Sequence, residues 1–161
     1  MDLALEDFRE EQAATILGWV RSAEDALCWA EAPFLRVGPE LFEEWHAQHG
    51  IVPCVGVLGH EVCAYGQVME DQLEREAEIA RVIVRPDLRV QRVGRAFVLL
   101  LSAEARRRGF GVVVARIARR NRAGYACFHG AGFTRLSAVD EEALNLDEPE
   151  EYVWMQFGSG A

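Results

Sequence analysis

The sequence predicts an α/β protein with a layered fold. In its second half, strand-like apolar runs alternate with helix-like segments, an order that is typical of α/β layer folds. Half of the 161 residues are hydrophobic and 27% are charged, as in ordinary globular proteins. A chain of this length can bury a core without disulfides or a structural metal. We therefore expect one domain over residues 1–161.

The first half of the chain indicates a short strand followed by helices. Residues 2–5 alternate polar and apolar side chains, as an edge strand does. Capping residues and prolines then set the expected boundaries of three helices. These helices are expected from Asp7 to about Arg21, from Ser22 to Pro33, and from Pro39 to Gly50.

The hydrophobic pattern then changes to the alternation of strands. Three strands are expected at residues 53–60, 61–70 and 76–85, with Gly59-His60 as a tight turn between the first two. Apolar positions at helical spacing and flanking caps predict the elements that follow. They are a helix at about 94–108, a strand at 112–115, a helix from Asn121 to about Ala131, a strand from Gly132, and a last strand at 151–157.

Charge is distributed unevenly along the chain. The net charge is −9, and all seventeen basic residues are arginine. Thirteen of them fall within residues 81–135, which contain only two acidic residues. So acidic a protein is a poor partner for nucleic acid, because the phosphate backbone attracts net positive surface. The basic segment favours a small polyanion bound there. The alternative left open is that Arg and Glu solvate helix faces and pair across them.

A loop with several arginines separates a predicted strand from a predicted helix at residues 85–96. Backbone N–H groups at a helix N-terminus lack intrahelical partners, and the helix dipole adds to their attraction for anions. Gly94 and Ala96 are small enough to let a phosphate approach the backbone. The loop matches neither the Walker sequence nor the glycine motif of dinucleotide-binding folds.

At these residues the chain resembles the GCN5-related N-acetyltransferase (GNAT) superfamily. Residues 91–96 (QRVGRA) match its acetyl-CoA signature, Q/R-x-x-G-x-G/A, and residues 82–86 (VIVRP) resemble the strand that leads into it. Downstream, residues 121–133 are similar to the family's helix-and-strand motif. The well-matched part covers residues 76–135, whereas the N-terminal half resembles the family only in pattern.

The resemblance implies a mixed, mainly antiparallel sheet of six to seven strands flanked by about four helices. Residues 76–135 would form the cofactor-binding core of this single domain. It also implies an enzyme that transfers an acetyl group from acetyl-CoA, as co-substrate, to a primary amine of a small molecule or protein. The amine would attack directly in a ternary complex, and we expect a cationic acceptor and no metal. The alternative is a non-catalytic acyl-CoA-binding or sensor module with the same fold.

The resemblance further implies which residues hold acetyl-CoA. The strand at 79–84 offers backbone groups to the pantetheine arm, and the loop at 89–96 surrounds the pyrophosphate. The expected cofactor-binding residues are Val82, Ile83, Val84, Arg89, Val90, Gln91, Arg92, Val93, Gly94, Arg95, Ala96, Asn121 and Phe128. Val90 and Arg92 stand where glycine is common in the family. We expect the loop to keep both residues near right-handed helical conformation.

Two residues are candidates for proton transfer. Glu78 is the leading candidate for the base that deprotonates the acceptor ammonium, and the alternative is a solvated strand carboxylate. Glu76, Glu74 and Asp71 are the fallback bases or attractors for the cationic amine. Phe128 replaces a tyrosine that protonates the departing thiolate in many family members. Tyr125, on the same predicted helix, is the candidate substitute for that acid. Arg81, isolated on an apolar strand, is expected to pair with a carboxylate such as Glu78 or to contact the acetyl end.

Composition gives expectations about location and partners. The four cysteines form no C-x-x-C pair and indicate free thiols of a reducing cytoplasm. No apolar stretch is long enough to cross a bilayer, so a membrane partner is not expected. His46 and His49 have no partner at metal-ligand spacing. The edge strands of such a sheet leave a homodimer open.

Overall fold

A computed structural model describes residues 1–158 as one seven-stranded sheet with six α-helices. The strands are β1 (Leu3–Asp7), β2 (Ile51–Leu58), β3 (Glu61–Asp71), β4 (Glu76–Val84), β5 (Val112–Ala118), β6 (Phe133–Arg135) and β7 (Tyr152–Phe157). The helices are α1 (Ala13–Leu17), α2 (Ala23–Ala30), α3 (Pro39–His46), α4 (Val93–Arg107), α5 (Arg122–Gly130) and α6 (Ala138–Asn145). Short 3₁₀ turns lie at Glu10–Gln12, Phe34–Arg36 and Pro86–Leu88.

The sheet is mixed and mainly antiparallel, which confirms the predicted fold class. Its strands follow the order β1-β2-β3-β4-β5-β7-β6, and only β4 and β5 run parallel. That parallel pairing joins Glu76–Glu78 to Val112–Val114 and stops there. Beyond this point the two central strands separate, because β5 continues in register with β7 while β4 stays with β3.

A β-bulge interrupts β4 just beyond the separation point. Gln67 of β3 pairs with Ala80 and Tyr65 pairs with Ile83, so Gly66 faces both Arg81 and Val82. Arg81 has a left-handed backbone conformation with φ of 53°. The extra residue exchanges the two faces of the strand, as bulges do. A Cβ on Gly66 would stand 2.8 Å from the Leu101 side chain of α4, so a larger residue there would have to displace that side chain.

Two groups of buried side chains cover opposite faces of the sheet. One group joins α4 and α5 to the sheet and includes Phe97, Leu101 and Phe133. The other group joins α1, α2 and α3 to the sheet and is rich in aromatic rings, among them Trp29 and Trp45. Trp29 and Trp45 meet edge to face with ring centroids 5.2 Å apart. This aromatic layer supports one wall of the space between β4 and β5.

The start of the first helix was predicted wrongly. Asp7 is the last residue of β1, and α1 spans only Ala13–Leu17. The turn before α1 is capped by Arg9, whose backbone N–H donates to Gln12 Oε1 over 2.8 Å. The second helix was predicted correctly, because the Ser22 hydroxyl accepts the N–H of Asp25 over 3.0 Å and opens α2.

Helix α6 was not predicted, and its presence raises the helix count above the expected four. Ser137 caps it by accepting the N–H of Asp140. Its Glu141 is buried and accepts hydrogen bonds from Arg135 of β6 and from the backbone of Trp154 in β7. The Arg135 guanidinium holds the pKa of that carboxyl below its usual value. These contacts fix α6 against the sheet and so position the 146–151 segment beside β5.

Candidate active site

A cavity of about 330 Å³ occupies the space between β4 and β5 where the two strands separate. Its walls are residues 78–84 of β4, residues 116–118 at the end of β5, the first turns of α5, and the C-terminal half of α2. The loop before α4 closes one end through Arg89, Val90 and Gly94. The segment of β4 beyond Glu78 has no strand partner in β5. Side chains already use its Arg81 and Val84 carbonyls, and the rest of this edge is open to a ligand.

Several backbone N–H groups of the loop before α4 have no hydrogen-bond acceptor in the protein. Within residues 1–158, five amides of this loop and the first turn of α4 donate no hydrogen bond, namely those of Val90, Arg92, Val93, Gly94 and Arg95. Three neighbouring amides are used internally. They are those of Arg89, which donates to Pro86, Gln91, which donates to Leu88, and Ala96, which donates to Arg92. Consecutive free N–H groups at a helix start make a concave site for an anion.

The expected right-handed conformation of this loop was wrong. Val90 and Arg92 both lie in the left-handed region, with φ of 62° and 64°. The chain leaves the 3₁₀ turn at Leu88 and has to reverse direction before α4 begins at Val93. The two left-handed residues allow this turn and leave their own amides without an acceptor in the protein, so the loop has the backbone shape that glycine normally provides.

The arginines of this region divide into free and engaged side chains. Among the described residues, Arg92, Arg95 and Arg122 form no side-chain hydrogen bond or ion pair in the structure. Arg92 directly precedes α4, and Arg95 lies in the first turn of that helix. Arg122 is the first residue of α5. Their positive charge therefore surrounds the free amides without being neutralised by the protein itself.

Arg89 differs from its neighbours, because its guanidinium is already occupied. It donates to the Val84 carbonyl over 3.0 Å, to the Asp25 carboxylate over 3.0 Å, and to the Trp19 carbonyl over 2.9 Å. Since its amide is also used, Arg89 has little left to offer a phosphate. Arg89 lines the cavity, and its role there is to connect the end of β4, helix α2 and the segment that contains Trp19.

The close approach of α4 and α5 at the loop depends on Gly94. A Cβ at this position would lie 3.1 Å from Cys127 Sγ and 3.5 Å from Val84. Burial raises the pKa of the Cys127 thiol to about 11, so this sulfur stays protonated near neutral pH. Cys127 is therefore a small packing residue at the base of the cavity.

Asn121 and Phe128 shape the α5 side of the cavity. The Asn121 side chain accepts the N–H of Gly124 over 2.9 Å and caps α5, as predicted. Phe128 is buried and packs edge to face against Phe133, with ring centroids 5.1 Å apart. The ring lines the cavity where it can offer only an apolar surface.

An ion-pair network lies at the apex of the cavity. Arg116 of β5 donates through Nε to Glu78 over 3.1 Å and through Nη1 to Glu148 over 2.8 Å. Its guanidinium also lies 5.2 Å from the ring centroid of Tyr152, whose hydroxyl donates to Glu31 over 3.1 Å. Burial raises the pKa of the Glu78 carboxyl, and the adjacent Arg116 charge opposes that rise without cancelling it.

Arg81 does not form the predicted pair with Glu78. Its Nη1 donates to Gln67 Oε1 over 2.7 Å, and its guanidinium lies 4.5 Å from the centre of the Trp45 ring. Its backbone carbonyl accepts the indole N–H of Trp29 over 2.8 Å. The bulge, the amide and the two indoles together hold a cation on the cavity wall.

Tyr125 lies outside the cavity. It is on the outer face of α5, where its ring stacks on His129 with centroids 5.9 Å apart. A spacing of three residues along a helix turns it away from the direction of Phe128. Within the part of the chain that is described, the cavity lining contains no tyrosine, serine or threonine.

Sequence reasoning missed three residues of the site. Glu31, Arg116 and Glu148 come together from α2, β5 and the segment before β7. Arg116 could have been found, because it interrupts an apolar strand. Glu31 and Glu148 belong to acidic stretches that look like solvated surface, so only the tertiary structure identifies them.

Residues 1–158 contain neither a metal-binding cluster nor a membrane-spanning helix. No group of three or more His, Cys, Asp or Glu side chains is placed to hold a metal ion. None of the helices in this part of the chain is long and apolar enough to cross a membrane.

Comparison with known proteins gives a family and a set of similar folds. A family model described as Acetyltransferase (GNAT) family matches residues 4–133. No curated protein matches the chain in sequence. Among solved structures, the aminoglycoside acetyltransferase AAC(6')-Ib in complex with paromomycin and acetyl-CoA is similar, with a TM-score of 0.78 and 17% identity. That match covers 98% of this chain and 93% of the other.

Two other solved structures share the fold at low identity. A spermidine N-acetyltransferase chimera of Vibrio cholerae SpeG and hSSAT has a TM-score of 0.73 and 13% identity, over 98% of this chain and 95% of the other. The PaiA N-acetyltransferase of Thermoplasma acidophilum, in complex with coenzyme A, has a TM-score of 0.70 and 12% identity, over 98% and 99%. At such identities the likeness shows the fold.

Proposed function

The chain belongs to the acetyltransferase (GNAT) family, and on that premise we propose that it transfers an acetyl group from acetyl-CoA to a primary amine. The observation that carries the proposal is the set of five free amides beside three unpaired arginines, at one end of a cavity between separated strands. The pyrophosphate of acetyl-CoA requires an anion site of this kind, and its pantetheine arm requires a groove that leads away from that site. Acetyl-CoA is the co-substrate that supplies the acetyl thioester.

The residues of the loop and of β4 would hold this co-substrate. The amides of Val90 and Arg92 to Arg95 would bind the pyrophosphate, and the free edge of β4 at Val82–Val84 would bind the pantetheine arm. Asn121 and Phe128 would line the opposite wall. Arg89 and Gln91 contribute by shaping the loop, since their amides and side chains are engaged within the protein.

Glu78 is proposed as the base, acting directly or through water. Loss of a proton frees the amine lone pair, the nitrogen bonds to the thioester carbonyl carbon, and the carbon–sulfur bond breaks. The CoA sulfur leaves as a thiolate of pKa near 8.5, which is tolerable near neutral pH, so an apolar Phe128 slows the reaction without preventing it. The acylated nitrogen then gives up its second proton to solvent, which leaves the neutral amide, and the thiolate takes up a proton to become the CoA thiol.

The experiment is to titrate acetyl-CoA by calorimetry and to assay thiol release with a panel of amines. Gly94→Val should abolish binding, because its side chain would enter the space between the loop and Cys127. Gly111→Val is the matched control, since no atom lies within 4 Å of a Cβ there. Absence of wild-type binding at millimolar acetyl-CoA would contradict the proposal.

A non-catalytic acyl-CoA-binding module is the second candidate. It is favoured by the absence of any hydroxyl donor from the described cavity lining, where Phe128 stands in place of an acid. This candidate predicts the same acetyl-CoA binding but no thiol release with any amine. The assay above therefore separates the two.

Location and oligomeric state stay predictions. All four cysteines are free thiols, in keeping with a cytoplasmic protein. The outer strands β1 and β6 each have one strand neighbour, so either edge could pair with a second copy. Fractionation of the source cells and sedimentation of the purified protein would test these points.

A further inference from the structure

The charged groups in and around the cavity do not all neutralise one another. Asp25 is paired with Arg89 at the mouth. Arg116 is shared between Glu78 and Glu148, so this triad keeps one net negative charge. What remains is Arg81, a cation with no carboxylate in ion-pair contact, and the negative charge of the triad and of Glu31, which acts on Arg81 only from a distance.

Arg81 is held as a fixed cation. Most of its surface is buried, and burial is the main influence that lowers its pKa. One N–H bonds to the neutral Gln67 amide, and the guanidinium plane lies against Trp45. No carboxylate of the described chain lies within ion-pair distance of it, and its remaining N–H groups form no hydrogen bond with the protein.

The layers behind Arg81 keep it in this position. Gln67 is fully buried and donates from Nε2 to the Tyr65 hydroxyl over 2.7 Å. The same hydroxyl lies 3.0 Å from His46 Nε2, so it completes a chain of polar groups from the surface to the cavity. Arg81 itself occupies the bulge in a left-handed conformation that is unfavourable for a residue with a side chain. A strained backbone of this kind is typical of functional sites.

A cation in this position opposes one class of acceptor and suits another. An amine with several positive charges would have to bind beside an unneutralised guanidinium. An amine that also carries a carboxylate would pair that carboxylate with Arg81, and its ammonium would meet the surplus negative charge near Glu78 and Glu31. The two ends of such a molecule match the two uncompensated charges of the cavity.

We infer that the acceptor is a small amino acid, an amine with its own carboxylate, and that Arg81 is the residue that binds the carboxylate. The inference rests on the proposed function and adds the substrate class. A guanidinium binds a carboxylate through two parallel hydrogen bonds, which fixes orientation as well as position. Arg81 therefore determines which amines are turned over, while Glu78 serves every amine alike.

The test compares pairs of acceptors that differ only in the carboxylate. ω-Amino acids of increasing chain length are assayed for thiol release beside the alkylamines that lack the carboxyl group. The wild type should favour the amino acid over its partner amine by about 10- to 100-fold in kcat/KM, the range of a charged hydrogen bond. The best chain length reports the distance between the Arg81 and Glu78 subsites.

Variants assign the preference to Arg81. Arg81→Gln should lose the preference through a higher KM for the amino acids, and this loss should exceed any change in the alkylamine rates. Arg81→Lys keeps the positive charge but lacks the planar guanidinium that forms two parallel hydrogen bonds. It should therefore retain part of the preference for amino acids. The control is Arg75→Gln, an exposed arginine that precedes β4 and does not line the cavity. An unchanged acetyl-CoA affinity shows that a variant has folded.

The outcomes separate this inference from the proposed function. If acetyl-CoA binds but no amine is turned over, the transferase proposal fails and the inference fails with it. If polyamines, peptides or plain alkylamines are turned over with a kcat/KM equal to or above that of the amino acids, the proposed acceptor class is wrong. The proposed acetyltransferase activity is then still supported. If Arg81→Gln lowers all rates equally, Arg81 is structural and the assignment is wrong.

Discussion

Glu78 stands at the one position where the candidate base and the opening of the sheet coincide. It is the last residue of β4 that pairs with β5, so its side chain marks the point where the cavity begins. Arg116 holds the carboxylate there but is shared with Glu148. A general base has to be held in position and still be able to accept a proton. Because Arg116 divides its positive charge between two carboxylates, it orients Glu78 but neutralises its charge only in part.

The pH dependence follows from the raised pKa of this carboxyl. A base works only when deprotonated, so kcat/KM should fall as the pH drops through the pKa of Glu78, which burial places above its ordinary value of 4.5. Glu78→Gln should reduce kcat/KM by about 10²- to 10⁴-fold and remove this acid limb. Initial rates across a range of pH measure both effects.

Glu76→Gln is the control for this experiment. Glu76 lies two residues earlier on the same strand and does not line the cavity, so its loss should leave the rate and the acid limb in place. A Glu78→Gln variant that keeps the wild-type rate and profile would remove Glu78 from the mechanism.

At the scale of the element, the loop before α4 is notable for residues that are poorly suited to it. Val90 is fully exposed, branched at Cβ, and left-handed. A left-handed L-residue costs roughly 1–2 kcal/mol, and glycine avoids this at an entropic cost of about 0.5–1 kcal/mol. The strain persists because the 3₁₀ turn before it and α4 after it fix the direction of the chain.

Val90→Gly is therefore expected to stabilise the protein by about 0.5–1 kcal/mol. Chemical denaturation measures the change. Val139→Gly is the control, because Val139 is exposed within α6 and glycine there should destabilise the helix. A Val90→Gly variant less stable than the wild type would mean that the loop gains more from the valine than its conformation costs.

Local patterns explain which elements the sequence could predict. The hairpin turn at Gly59-His60 and the caps at Ser22 and Asn121 were correct, because each depends on neighbours a few residues away. Asp7 failed as a cap because strand pairing of β1 with β2 takes priority over a local capping preference. Helix α6 carries a capping serine, but its acidic face gave no apolar stripe to detect.

The site divides in the same way. The free amides at the loop follow from a strand-loop-helix order, so the sequence could indicate an anion site. The left-handed conformations of Val90 and Arg92 had one sequence signal, the glycine common at these positions in the family, and the expectation of helical backbone set it aside. The bulge at Arg81 lies in the pairing of β4 with β3, a contact between separate strands that no local pattern reports. Tyr125 was misplaced because one helix face was chosen without knowing where the cavity lies.

At the scale of the whole molecule, the two sides of the cavity belong to different halves of the chain. The N-terminal helices form one wall of the cavity, and the segment after β4 forms the loop with the free amides. Arg89 is a direct link between them, because its guanidinium bonds to Asp25 at the start of α2, to the Trp19 carbonyl, and to the Val84 carbonyl at the end of β4. The width of the cavity mouth should depend on this link.

A double-mutant cycle tests the link. Arg89→Met should cost about 2 kcal/mol of unfolding free energy, because it removes hydrogen bonds to three segments from a partly buried site. Asp25→Asn should cost less, and the two changes together should cost less than their sum by about 1 kcal/mol, which measures the pair itself. The control cycle uses Arg85→Met and Asp87→Asn, which change a more exposed ion pair on the same loop. There the expected coupling energy is only a few tenths of a kcal/mol. Equal coupling in the two cycles would show that Arg89 is an ordinary surface residue. A larger coupling, with weaker binding of both substrates in Arg89→Met, would show that this arginine holds the two halves of the cavity together.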